Sequence, residues 1–255
     1  MKRFSLVLLI LSCIPQGRGG IVSLVPSADE IIYALDTKDK LVGVSTYSPY
    51  KGEKPVVGDL LNPDYEMIKT IKPSLVIITL PMQANVKRNL ENLGIKTYDF
   101  SPESVEELTK DIVELGNILG REKRARALAD SIKEFVKGIN PLPDFTFAVQ
   151  ISESPVYVAG DDTYISEILE LFGGKNAFGY LRGYKPVSTE DVLGKGFDIL
   201  IVPYGFKNRL GFENKCVIQI PEDYLSPGLK IFPLIDSLKL YLLSCLKENL
   251  IRPVR

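Results

Sequence analysis

The chain has 255 residues, of which 45% are hydrophobic and 25% charged, with 31 basic against 32 acidic side chains. This is globular composition with enough length for a sizeable core, and the balanced charge excludes bulk electrostatic capture of nucleic acid. Histidine and tryptophan are absent, which excludes Ser-His-Asp and Cys-His catalysis and every histidine-ligated metal or haem site.

Met1-Lys2-Arg3, an apolar run from Phe4 to Leu11 and then Ser12-Cys13 read as an export signal over residues 1–20. The run is too short to span a bilayer permanently. Ile10-Leu11-Ser12-Cys13 resembles a lipobox, in which Cys13 becomes the lipidated N-terminus. Plain cleavage within residues 15–20, leaving no anchor, stays open beside it. Without residues 1–20 the body carries 28 bases against 32 acids, a net charge of −4. The remaining cysteines, Cys216 and Cys245, are compatible with a disulfide in an exported protein and equally with two buried thiols.

From residue 21 onward, short β-branched runs alternate with helical segments. Strands are expected at 21–25, 41–44, 56–57, 75–79 and 96–98, and helices open at Ser27 and cover 63–71 and 85–93. Alternating β and α units imply a mostly parallel sheet covered on both faces. Two apolar stripes at helical spacing follow, one from Val105 to Leu119 and one from Ala125 to Ile139. The second predicts a rod of about 28 Å at 1.5 Å per residue, stopped by Asn140-Pro141-Leu142-Pro143. A strand over 145–151, helices over 163–172, 189–193 and 234–249, and strands over 199–202 and 216–220 resume the alternation. The fold expected is α/β: two Rossmann-like lobes with mostly parallel sheets, 21–119 and 143–255, joined by one long linker helix within 120–142. One continuous doubly wound domain is the alternative.

A weak internal repeat aligns on two glutamates. Glu66 is followed by Ile68 and then by Val76-Ile77-Ile78; Glu190 is followed at the same offsets by Val192 and Leu200-Ile201-Val202. Each acid sits near the start of a short helix that feeds a buried strand. The helix dipole alone accounts for an acid there, with Asn62-Pro63 and Ser188-Thr189 as the expected caps.

No glycine-rich phosphate loop, nucleophile elbow or Cys-x-x-Cys is present. Tyrosines instead gather in loops at strand ends: Tyr47, Tyr50, Tyr157 and Tyr184. Ligands of open α/β sheets bind beyond the carboxyl ends of the strands, and a tyrosine offers a broad apolar face with a polar tip.

The segments Ile21-Val22-Ser23-Leu24-Val25-Pro26-Ser27-Ala28-Asp29-Glu30-Ile31, Leu41-Val42-Gly43-Val44-Ser45, Ile71-Lys72-Pro73-Ser74-Leu75-Val76-Ile77 and Leu93-Gly94-Ile95 resemble the helical-backbone (class III) periplasmic binding proteins. The likeness runs on through Leu171-Phe172-Gly173-Gly174-Lys175-Asn176-Ala177-Phe178 and Val187-Ser188-Thr189-Glu190. These are substrate-binding subunits of ABC importers for cobalamin, ferric siderophores and haem. The resemblance implies two lobes with limited closure and no catalysis. It implies an exported, monomeric protein whose partners are a permease dimer with its ATPase subunits. Membrane contact would come only through a lipid anchor at Cys13. It assigns Glu66 and Glu190 to docking on the permease.

Within that family the cobalamin-binding branch is the most similar. Tyr47, Leu60, Tyr157 and Tyr184 fall on its ligand-contacting positions, with Tyr50 beside them. Leu60 replaces an aromatic there, and no tryptophan stands near Thr79-Leu80. Asp59 stands where the haem-binding branch is expected to place a tyrosine, so haem is not the expected ligand. The alternative ligand is a ferric siderophore, with Arg182 and Lys185 as the bases for an anionic chelate. An enzyme on this scaffold would need a nucleophile with its base, and a sensor without transport would need a different partner.

Overall fold

The computed structural model describes residues 19–207 and 215–251, with side chains through residue 247. The leader and Cys13 lie outside the described residues.

The first lobe is a four-stranded parallel sheet in the order β2-β1-β3-β4, from β1 (Ile21–Ser23), β2 (Leu41–Val44), β3 (Leu75–Ile78) and β4 (Thr97–Asp99). Ile21 pairs with Leu41 on one side and Leu75 on the other. α1 (Pro26–Ala34), α2 (Tyr65–Ile71) and α3 (Ala84–Asn92) alternate with these strands. Pro26 at the helix start costs α1 nothing, because the first N–H groups of a helix have no intrahelical partner. Two expectations need correction here. Residues 56–57 form no strand, only an isolated bridge from Val56 to Val44. α2 is capped by Asp64, whose carboxylate accepts from the Met67 N–H, rather than by Asn62-Pro63.

The second lobe is less regular than the β/α alternation predicts. β5 (Phe145–Glu153), β9 (Ile199–Pro203) and β10 (Cys216–Ile220) form its parallel part, with β7 (Gly174–Asn176) pairing parallel to the start of β5. β6 (Val156–Ala159) turns back antiparallel on β5, and β8 (Tyr184–Pro186) adds antiparallel to β6. Strands of three and four residues leave no measurable period in sequence, so this hairpin edge was not expected. α6 (Tyr164–Leu171) and α7 (Thr189–Gly194) follow, and α8 (Ile231–Ile251) closes the lobe. A Cys216–Cys245 disulfide ties β10 to α8.

Between the lobes run α4 (Val105–Ile118) and α5 (Glu122–Lys137). α5 is about 24 Å long at 1.5 Å per residue, and it is not a bare rod. Its Ala125, Ala129 and Ile132 are buried, and α4 packs along it. A Cβ placed on Gly116 of α4 would lie 2.2 Å from the Ala125 Cβ, so only glycine allows this crossing. The turn between them is pinned to the first lobe: Lys40 Nζ donates to the Leu119 carbonyl at 2.8 Å and Arg124 Nε to the Ala34 carbonyl at 2.6 Å. Each cation thus caps the carbonyl end of a helix, where the dipole favours positive charge. One apolar cluster runs from Ile31 through Ile112 and Ala129 to Ile165, Ile201 and Leu238. The lobes therefore share a core through the helical hairpin.

Candidate ligand cleft between the lobes

The carboxyl ends of the two sheets face each other. Lys230, just ahead of α8, pairs with Glu30 of α1 at 3.2 Å and with Asp223 at 3.8 Å. Gly228 presses on α1, where an added Cβ would lie 2.8 Å from that of Ser27. On the other side Glu167 of α6 accepts from the Val105 N–H at 2.7 Å, capping the positive end of α4 from across the lobes. The loops between these two ties form the candidate cleft. The first lobe brings residues 45–50, 58–63, 79–83 and 100–104; the second brings the β6–β8 edge and the loops after β7, β9 and β10. Two surface depressions among the described residues lie elsewhere, one at the α4–α5 turn and one beside Gly94.

The expected ligand residues fall on these loops in unequal states. Tyr47 is 64% exposed, with its side chain open to solvent. Tyr50 is half-buried, and one face of its ring is stacked on Tyr33 at 3.4 Å. Leu60 is half-buried in its loop. Tyr157 and Tyr184 lie side by side: β6–β8 register sets Ala159 opposite Tyr184 and Tyr157 opposite Pro186. Residues two apart on a strand share a face, so the two rings are diagonal neighbours. Tyr184 is 38% exposed, yet its hydroxyl is desolvated and pushed up to about 12, with Glu103 of the first lobe adding to the shift.

The bases expected for an anionic chelate are less well placed. Val158 pairs with Lys185, and strand alternation therefore puts Lys185 on the opposite face of the hairpin from Tyr184. Arg182 faces Asp162 at 3.7 Å, and its side chain is 79% exposed.

Glu66 and Glu190 are both exposed, in the first turns of α2 and α7, and neither carboxylate has an ion-pair partner among the described residues. Ser188 caps α7 as expected, in a full capping box with Asp191.

The structure adds two buried polar groups that the sequence did not single out. Asp29 in the first turn of α1 is fully buried, and neither oxygen has a hydrogen-bond partner of good geometry. Burial raises its carboxyl to about 7, although Ser23 and Ser48 pull it down. It shares the buried helix face with Val25 and Ile32, a placement the helical period already carries. Gln83, also fully buried, joins two cleft loops. It lies between a strand and a helix, where no periodicity reports on burial.

Residues 21–209 match the family described as periplasmic binding protein, and the chain belongs to that family. An uncharacterised ABC transporter substrate-binding lipoprotein of Bacillus subtilis, YvrC, is 32% identical over 204 residues, covering 74% of this chain and 65% of that protein. The chain thus spans just under two thirds of that relative. A vitamin B12-binding protein of Yersinia pseudotuberculosis is 29% identical over 216 residues, covering 79% of this chain and 76% of its own length. Among solved structures, the periplasmic vitamin B12 binding protein BtuF of Vibrio cholerae superposes with a TM-score of 0.71 at 25% identity, covering 87% of this chain and 97% of that one. A possible iron-binding, periplasmic solute-binding protein of Staphylococcus epidermidis gives 0.71 at 27% identity, with the same coverage.

Proposed function

We propose that this protein is the extracytoplasmic substrate-binding component of an ABC importer, and that it captures a corrinoid of the cobalamin type between its lobes. It catalyses nothing. The units are those drawn from the sequence: a leader over 1–20 with Cys13 as the lipid-anchored residue, lobes over 21–119 and 143–255, and the linker within 120–142. It acts as a monomer.

The observation that carries the ligand reading is the shared face of Tyr157 and Tyr184 opposite the first lobe. Two neighbouring phenol rings suit a large flat macrocycle with polar edges. Tyr47, Tyr50 and Leu60 meet the ligand from the first lobe, with Arg182 at the rim. The placement of Lys185 on the opposite face of the hairpin from Tyr184 weighs against an anionic ferric chelate. The vitamin B12-binding relatives support the same choice. Glu66 and Glu190 dock on the permease dimer, one acid from each lobe. Paired charges of this kind steer encounter and fix register.

The transport reading is tested in proteoliposomes holding the cognate permease and ATPase subunits. Corrinoid-loaded protein should stimulate ATP hydrolysis and uptake of the corrinoid. Binding of the corrinoid without either response would assign the protein to sensing.

A further inference from the structure

The geometry points to Gln83 as a positioning residue of the cleft: its buried carboxamide clamps loop 58–63 to loop 79–83, so that the first lobe presents one preformed aliphatic rim. This inference rests on the corrinoid reading above and adds a determinant of how the ligand is held.

Gln83 Oε1 accepts from the Thr79 N–H at 2.7 Å, and Nε2 donates to the Leu60 carbonyl at 2.5 Å. The side chain is 0% exposed. A buried amide that satisfies two backbone groups on separate loops holds both, because losing it leaves each group desolvated and unpaired. The stitching continues on either side. The Thr46 N–H donates to the Gly58 carbonyl at 2.9 Å, linking the Tyr47 loop. Thr79 Oγ1 meets Ser101 Oγ at 3.2 Å, and the Leu80 N–H donates to the same hydroxyl at 2.6 Å, linking the loop after β4. Gln83 is the central member of this chain. Around it Leu61 and Met82 stand 55% and 54% exposed, apolar side chains open to a ligand. A rim fixed before binding spares the ordering cost that loose loops would incur.

The test compares wild type, Gln83→Met and Gln83→Glu by calorimetric titration with cyanocobalamin at pH 5 and pH 8. Gln83→Met keeps the volume and loses both hydrogen bonds, and should weaken binding at least tenfold at either pH. In Gln83→Glu the introduced carboxyl is buried where the amide was, and burial favours its protonated form. Protonated, it donates and accepts as the amide does; ionised, it faces the Leu60 carbonyl with no donor. Affinity relative to wild type should therefore hold at pH 5 and fall at pH 8, a profile that simple loss of packing would not give. Wild-type affinity in Gln83→Met would overturn the clamp. Amide hydrogen exchange on the ligand-free proteins decides it independently of the ligand: loops 58–63 and 79–83 should loosen together in Gln83→Met, and unchanged protection in both would reject it. Failure of the wild type itself to bind cyanocobalamin would count against the corrinoid reading and leave the exchange result to judge Gln83.

Discussion

Glu66 and Glu190 occupy equivalent places in the two lobes. Each is the second residue of a short helix behind an oxygen-bearing cap, Asp64 or Ser188, and each precedes its buried strand by nine residues, with β3 starting at Leu75 and β9 at Ile199. Those strands pair parallel with β1 and β5. The helix dipole explains an acid at either place, and both carboxylates are exposed with no ion-pair partner among the described residues. Under the proposed function, both dock on the permease dimer. The double substitution Glu66→Ala with Glu190→Ala should abolish ATPase stimulation and uptake in proteoliposomes while leaving ligand affinity within about twofold. Uptake equal to wild type would remove the docking role.

Asp29 makes stability depend on pH. Its carboxyl titrates near 7 in the folded protein against a reference value of 3.8. Between those values the folded state holds a proton that the unfolded state has lost. Stability from this group is therefore full below about pH 4 and declines as pH rises through 7, by about 4 kcal/mol at most. Asp111, raised to about 6, and Glu170, raised to about 7, act in the same direction. Asp29→Asn is isosteric and uncharged. It should raise the Tm at pH 8 more than at pH 5, flattening the profile; an equal shift at both would show that Asp29 is not the titrating group.

The Cys216–Cys245 bond closes a loop with a sequence separation of 29. Chain-entropy arguments give about 3–4 kcal/mol for a loop of that size. Cys216→Ser with Cys245→Ser should lower stability by that order in denaturant titrations while leaving ligand affinity unchanged, since β10 and α8 meet away from the tyrosine face. A loss below about 1 kcal/mol would show that the bond does not hold the lobe together.

Most of the architecture was legible because it rests on periodicity. The runs 41–44, 75–79 and 199–202 are largely buried and rich in β-branched residues, and α4 and α5 bury Leu108, Ile112, Leu115, Ala125, Ala129 and Ile132 at the 3.6-residue period. The β6–β8 edge was not legible: its strands are too short to show alternation, and antiparallel pairing is set by a turn rather than by a repeat. The cleft was legible only in part. Tyr157 and Tyr184 could be named from composition and position, but their common face follows from β6–β8 register. Lys185, a candidate base for the alternative ligand, stands on the opposite face for the same reason, one residue of alternation. Gln83 and the Glu30–Lys230 tie depend on contacts between segments far apart in sequence, which no local pattern encodes.

Corrinoid capture by the Tyr157–Tyr184 face is tested most directly by calorimetric titration of residues 21–255 with cyanocobalamin, since the absence of tryptophan removes the usual fluorescence signal. One site per chain with submicromolar affinity is expected, weakened at least tenfold by Tyr184→Ala. No heat with cyanocobalamin beside tight binding of a ferric siderophore would contradict it.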